Sequence, residues 1–75
     1  MPDIDQERAH LALAERHIVE GEKRIIRQEK LLVDLQSRQQ DTSEAEALLR
    51  LLRETLLTWR DHRDHILRTL NDMQN

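Results

Sequence analysis

The sequence predicts an all-α fold, an antiparallel hairpin of two long helices that pack like a coiled coil. Two observations predict it. Apolar residues recur every seven positions in both halves of the chain, in an order mirrored about Thr42. Of the 75 residues one is Gly, one is Pro and one is aromatic, which is the composition of long helices. A sustained seven-residue repeat requires a partner helix, and the mirror supplies that helix from the same chain.

The first helix is expected over about residues 3–38. Pro2 and Asp3 suit a helix start, because an Asp side chain accepts hydrogen bonds from the first amides of a helix. The inner face is expected to carry two rows with a spacing of seven, namely Ile4, Leu11, Ile18, Ile25 and Leu32, and Glu7, Ala14, Gly21, Gln28 and Leu35. The second row is unusually small and polar. In the mirrored register Gly21 faces Arg63, so we expect its missing side chain to make room for the Arg63 stem and the Trp59 ring.

The hinge is expected at residues 39–43 and the second helix at about residues 43–72, so that residues 1–75 form a single domain. Either Asp41 with Glu44 or Ser43 with Glu46 fits the spacing of a capping box, and the sequence leaves both open. The inner face of this helix is expected to carry Ala45, Leu49, Leu52, Leu56, Trp59, Arg63, Ile66, Leu70 and Met73.

Charged residues that flank the inner faces test the pairing independently. Fold-back brings Glu22 towards Arg60 and Glu29 towards Arg53, two pairs of opposite charge. Flanking ion pairs of this kind set the orientation and register of paired helices more than their stability.

Several large apolar residues remain outside the predicted seam between the helices. Ala12, Val19, Ile26 and Val33 form a second row on helix 1, and helix 2 adds Leu48, Leu51, Leu57 and Leu67. A chain without a third element leaves these residues exposed, so we expect a homodimer that forms a four-helix bundle. A different protein partner would cover the same residues. The residues expected to carry the interaction are Val19, Ile26, Val33 and Leu57, with Trp59 as an inner anchor.

The composition argues against several functional classes. The net charge is −3, and the basic row of Arg16, Lys23 and Lys30 has acidic neighbours, so no nucleic-acid partner or anionic membrane is expected. The longest apolar run is Leu11-Ala12-Leu13-Ala14, and the acidic N-terminus is unlike a signal peptide, which favours a cytoplasmic protein. The chain has no Cys, Tyr or Gly-rich loop, and Ser43, Thr55, Thr58 and Thr69 lack a convincing arrangement with a base. We therefore expect neither enzymatic activity nor a cofactor, but a protein–protein interaction or assembly module.

An alternative function is divalent-metal binding by the helical bundle. His17 and His62 lie where they can approach each other across the helices, and His62 and His65 are three residues apart within Asp61-His62-Arg63-Asp64-His65. Imidazole groups with nearby carboxylates suit Zn²⁺ and related ions. Solvated His residues on a polar flank are the simpler interpretation.

One group of known proteins resembles the chain over most of its length. The similarity rests on residues 11–22 (LALAERHIVEGE), Ile25-Ile26-Arg27-Gln28, Asp41-Thr42, residues 45–49 and Asp61-His62-Arg63-Asp64. These segments resemble small, helix-rich, uncharacterised proteins common in alphaproteobacteria. Many of those proteins carry Gly-His before the Asp-Thr, where this chain has Gln39-Gln40. The resemblance implies a bacterial cytoplasmic protein and no particular activity.

Overall fold

The chain folds into a helical hairpin. A computed structural model describes residues 3–74, in which helix α1 spans Ile4–Ser37 and helix α2 spans Ser43–Gln74. The two helices pack against each other in a rod with extents of 56 × 15 × 14 Å. Helix α1 ends one residue before the expected boundary, and α2 continues two residues beyond it. Met1, Pro2 and Asn75, which we assigned to the same domain, lie outside the described residues, as does the expected role of Pro2 at the helix start.

Helix α1 begins at a capping Asp. The backbone of Asp3 is extended, with φ −85° and ψ 130°, and its side chain accepts the Asp5 N–H at 3.0 Å. Asp5 and Glu7 then place negative charge in the first turn, where the helix dipole favours it. The sequence-based assignment of Asp3 as the N-cap is confirmed.

Helix α1 ends in a Schellman motif without glycine. Gln39 adopts the left-handed conformation, with φ 56°. The Gln39 N–H donates to the Gln36 carbonyl at 3.1 Å, and the Gln40 N–H donates to the Leu35 carbonyl at 2.9 Å. These two bonds satisfy carbonyls that the end of a helix would otherwise leave unpaired. The chain therefore reverses within the five residues 38–42.

Asp41 organises the start of α2. Its Oδ1 atom accepts the Ser43 hydroxyl at 2.7 Å and the Ser43 N–H at 3.0 Å. The hydrogen bond from the hydroxyl, which has the larger effect, and the one from the N–H both lower the pKa of the Asp41 carboxyl group below its ordinary value. The Thr42 carbonyl then accepts the Glu46 N–H at 2.9 Å. Neither of the two capping boxes that the sequence left open is formed as predicted, because the Asp41 side chain bonds Ser43 and not Glu44, and the Ser43 hydroxyl donates to Asp41.

The buried residues form the predicted seam. All belong to the rows expected to face inwards, and they are Ala14, Ile18 and Gln28 on α1 and Ala45, Leu49, Leu56, Ile66 and Leu70 on α2. The main cluster, Ala14 with Ile66 and Leu70, lies towards the end opposite the hinge and is covered by Ile4, Leu11 and Trp59. The seam that the heptad pattern predicts is thus the core of the molecule.

The predicted ion pairs across the seam are both present. Arg53 Nη2 lies 3.4 Å from Glu29 Oε2, and Arg60 Nη2 lies 3.8 Å from Glu22 Oε2. All four side chains remain about half exposed, so each pair contributes at most about 1 kcal/mol to stability. Their main effect is to favour this antiparallel arrangement of the helices.

The expected surroundings of Gly21 were wrong. A Cβ atom on Gly21 would lie 3.4 Å from Leu56 Cδ1, and the Arg63 guanidinium instead donates to Asp64 at 3.3 Å. Leu56, and not Arg63, is thus the residue of α2 next to Gly21, although the flanking ion pairs hold the predicted register.

Candidate interaction surface

Three side chains on the outside of α1 form an apolar stripe. Val19 is 48% exposed, Ile26 is 52% exposed and Val33 is 63% exposed. Residues seven apart on a helix lie almost directly in line, so these three side chains share one face. Each is large and β-branched, and none is covered by α2.

Leu57 of α2, which is 59% exposed, continues this apolar surface. It lines a shallow cleft with Leu32, Leu49, Glu46, Arg50, Arg53 and Glu54. A second cleft, on α1, is lined by Ile26, Glu29, Lys30 and Val33. The ion pair between Glu29 and Arg53 joins the two clefts. We call this continuous area the stripe face and define it by Val19, Ile26, Val33 and Leu57.

Charged residues border the apolar groups of the stripe face in an ordered way. On α1, Glu29 lies next to the seam, and Lys30 lies about 100° further around the helix, away from α2. On α2, Arg53 lies next to the seam and Glu54 lies further out. The order of charges on α1 is therefore the reverse of that on α2.

More apolar side chains are exposed elsewhere on the hairpin. Leu48, Leu51 and Leu67, which the sequence pattern singled out, are 45%, 57% and 44% exposed. Leu13 and Leu31 are also exposed, at 48% and 45%, and were not singled out. The sequence does indicate that they are exposed, because they are large apolar residues outside the two inner rows of α1. Leu31 and Leu48 line a further cleft near the hinge.

Trp59 belongs to the seam and not to the exposed stripe. It packs against the cluster of Ala14, Ile66 and Leu70. The His17 ring stacks on it with a centroid distance of 4.3 Å and an interplanar angle of 24°, and the His62 ring meets it edge-on at 5.7 Å. The indole thus lies between imidazoles from both helices and anchors α1 to α2.

The structure brings two of the candidate metal ligands to Trp59 and leaves the third apart from that ring stack. His17 Nδ1 lies 3.9 Å from Glu20 Oε2, and His17 and His62 both contact the indole. His65 is exposed, and its carbonyl accepts a hydrogen bond from the Thr69 hydroxyl. Within residues 3–74 no group of three or more His, Asp or Glu side chains is arranged to hold a metal ion.

Neither helix offers a long apolar segment. Over the described part of the chain, no stretch of α1 or α2 is both long enough and apolar enough to cross a membrane. The apolar residues are instead distributed in stripes along amphipathic helices.

Sequence reasoning found the apolar members of the stripe face but did not connect them with their charged borders. The sequence shows Lys30 only as part of a basic row and gives Glu54 no particular role. Their positions beside the clefts follow from the side-by-side placement of the two helices. Comparison with protein-family models, with curated proteins and with solved structures finds no match to this chain, so the resemblance to alphaproteobacterial proteins stays a prediction.

Proposed function

We propose that this hairpin is a non-catalytic assembly module that self-associates through the stripe face into a dimeric four-helix bundle. The observation that supports the proposal best is the exposure of Val19, Ile26, Val33 and Leu57 on adjoining surfaces of the two helices. A folded chain that leaves a contiguous row of large apolar side chains in water is typical of a protein that buries them against a partner.

The size of the hairpin supports the same conclusion. Among residues 3–74 its buried core consists of seven apolar residues and Gln28. Chains of this size rarely obtain more than about 3–5 kcal/mol from a single core, so they commonly rely on disulfides, metals or association. This sequence contains no Cys. Association through the stripe face supplies further burial to both copies.

The cellular setting is part of the proposal. A Cys-free composition suits a reducing compartment, and the resemblance described above is to bacterial proteins, so we place the module in the bacterial cytoplasm. Its role there would be structural or regulatory, through the contacts it makes with other copies of the chain.

Sedimentation equilibrium of matched variants tests the proposal. We expect the wild-type chain to sediment as a dimer, and we expect Leu57→Glu and Ile26→Glu to sediment as monomers. Burying a carboxylate in an apolar contact costs several kcal/mol, enough to dissociate a micromolar dimer.

Leu51→Glu is the matched control. Leu51 and Leu57 are the same residue type on the same helix with 57% and 59% exposure, but their directions differ by about 120° around α2. Leu51→Glu should leave the dimer intact. A wild-type chain that remains monomeric at millimolar concentration, or a dimer that Leu51→Glu dissociates and Leu57→Glu does not, would refute the assignment of this face.

A further inference from the structure

The charges that border the stripe face also indicate how the second copy is oriented. Resting on the self-association proposed above, we propose that α1 of each copy packs antiparallel against α2 of its partner, about a two-fold axis parallel to the helices. The occupant of the stripe face is then a second copy of this chain, and each apolar stripe of α1 lies against the Leu57 side of the partner's α2.

The two clefts carry opposite charges at equivalent places. Next to the seam, α1 presents Glu29 and α2 presents Arg53, which lie 3.4 Å apart within one copy. On the outer side of the clefts, α1 presents Lys30 and α2 presents Glu54. In this antiparallel packing, the residues next to the seam on α1 face the residues next to the seam on the partner's α2. The outer residues of the two helices likewise face each other. An α1 cleft is therefore complementary to the partner's α2 cleft at both borders.

The complementarity repeats one heptad away from the hinge. Lys23 precedes Lys30 by seven residues on α1, and Asp61 follows Glu54 by seven residues on α2, so the two outer rows run alongside each other in the dimer. Next to the seam, Glu22 and Arg60 lie 3.8 Å apart and repeat the pattern of the pair nearer the hinge. The two-fold axis places each Glu of these inner pairs opposite an Arg of the partner.

Two other symmetric arrangements fit the charges or the apolar surface less well. Packing α1 antiparallel on the partner's α1 places Lys30 beside lysines and Glu29 beside glutamates, and like charges in contact disfavour a pairing. Packing α1 parallel to the partner's α1 places the lysines of one copy beside the glutamates of the other, but it leaves Leu57 of both copies in water. Only the pairing of α1 with the partner's α2 satisfies the charges and covers Leu57.

Charge reversal on the outer rows tests the orientation. The double variants are Lys23→Glu with Lys30→Glu on α1, and Glu54→Lys with Asp61→Lys on α2, with dimerisation measured by sedimentation equilibrium. We expect each variant alone to weaken the dimer about tenfold or more, since every outer pair becomes repulsive in both symmetry-related contacts. An equimolar mixture should restore the wild-type dissociation constant to within about threefold, because a mixed dimer has attractive pairs at both contacts.

A variant with reversed charges elsewhere controls for net charge. Arg24→Glu with Arg27→Glu changes the net charge as much as the α1 variant does, but neither residue belongs to the row of Lys23 and Lys30 or lines a cleft, so it should leave the dimer unchanged. Circular dichroism of each variant at low concentration checks that the hairpin itself still forms.

Each contrary result has a distinct meaning. A monomeric wild-type chain overturns the proposed function and this orientation together. A wild-type dimer that neither double variant weakens overturns the orientation alone and indicates antiparallel α1–α1 packing. A dimer weakened only by the α1 variant overturns the orientation in favour of parallel α1–α1 packing.

Discussion

Gln28 shows how a single polar residue can help to fix the pairing of two helices. It is the buried polar residue of the seam within residues 3–74, and its Nε2 atom donates to the Ala45 carbonyl at 3.0 Å. Ala45 lies in the first turn of α2, so this bond links the two helices close to the hinge. A polar group in a hydrophobic seam specifies register, because any other register leaves it buried without a partner.

We expect Gln28→Ala to lower the free energy of unfolding by about 1–2 kcal/mol, since it removes a buried hydrogen bond and leaves a small gap. Urea unfolding followed by circular dichroism measures the change. Gln36→Ala, at an exposed position of the same helix, is the control and should stay within about 0.5 kcal/mol of wild type. Equal effects of the two substitutions would show that the bond to Ala45 adds nothing to stability.

At the scale of the secondary-structure elements, the end of α1 decides how the two helices meet. The Schellman motif places Gln39 at φ 56°, in a region that costs a residue with a Cβ atom about 1 kcal/mol. Glycine is the usual residue at this place in the motif because it adopts the conformation freely. The hydrogen bonds of Gln39 and Gln40 to the last turn hold the conformation in spite of that cost.

We expect Gln39→Gly to raise the free energy of unfolding by about 0.5–1 kcal/mol, because the native backbone conformation is no longer strained. Gln40→Gly is the matched control, and it should give no gain because added flexibility in the unfolded chain favours unfolding. Melting temperatures of the two variants, measured side by side, provide the comparison. A Gln39→Gly variant that melts below wild type would contradict the assigned conformation.

At the scale of the whole molecule, the hairpin is a rod in which almost every residue is near solvent. Its Cα radius of gyration is 17.0 Å, and its core is a single row of side chains between two helices. Such a molecule obtains little stability from its own burial, so we expect the proposed association to contribute a substantial part of the total free energy of unfolding.

The melting temperature of the wild-type chain should therefore rise with protein concentration. Mass action stabilises a folded dimer relative to unfolded monomers. A hundredfold increase in concentration adds about 2.7 kcal/mol to the free energy of unfolding of the dimer. Circular dichroism melts at about 2 μM and about 200 μM test this expectation. Leu57→Glu should melt at the same temperature in both samples, whereas superimposable wild-type melts would argue that the folded state is monomeric.

The fold was predictable from the sequence because its two strongest signals are periodic. The rows containing Ile18 and Leu56 identified the inner faces, and the partners of Glu22 and Glu29 were identified correctly from their charges. The neighbour of Gly21 was not, because a heptad repeat identifies the inner face of each helix but not which side chain of the other helix fills the space in front of a glycine.

The candidate surface was predictable only in its apolar part. Val33 and Leu57 stand out in the sequence as large residues outside the inner rows, and the structure leaves both exposed. The roles of Lys30 and Glu54 depend on which apolar residues they border and in what order. That information exists only once the two helices are placed side by side.

The packing of Ile4 against the cluster of Ala14, Ile66 and Leu70 has a mechanical consequence. This packing lies at the end of the rod opposite the turn, so the two helix ends lie together there. A load pulling those ends apart acts across the 56 Å axis and opens the contacts in sequence, one layer at a time. A single hairpin loaded in this way unfolds at low force, because only one layer of contacts resists the load at a time. In the proposed dimer, the partner's helices would contact both arms of the hairpin and raise the force needed to separate them.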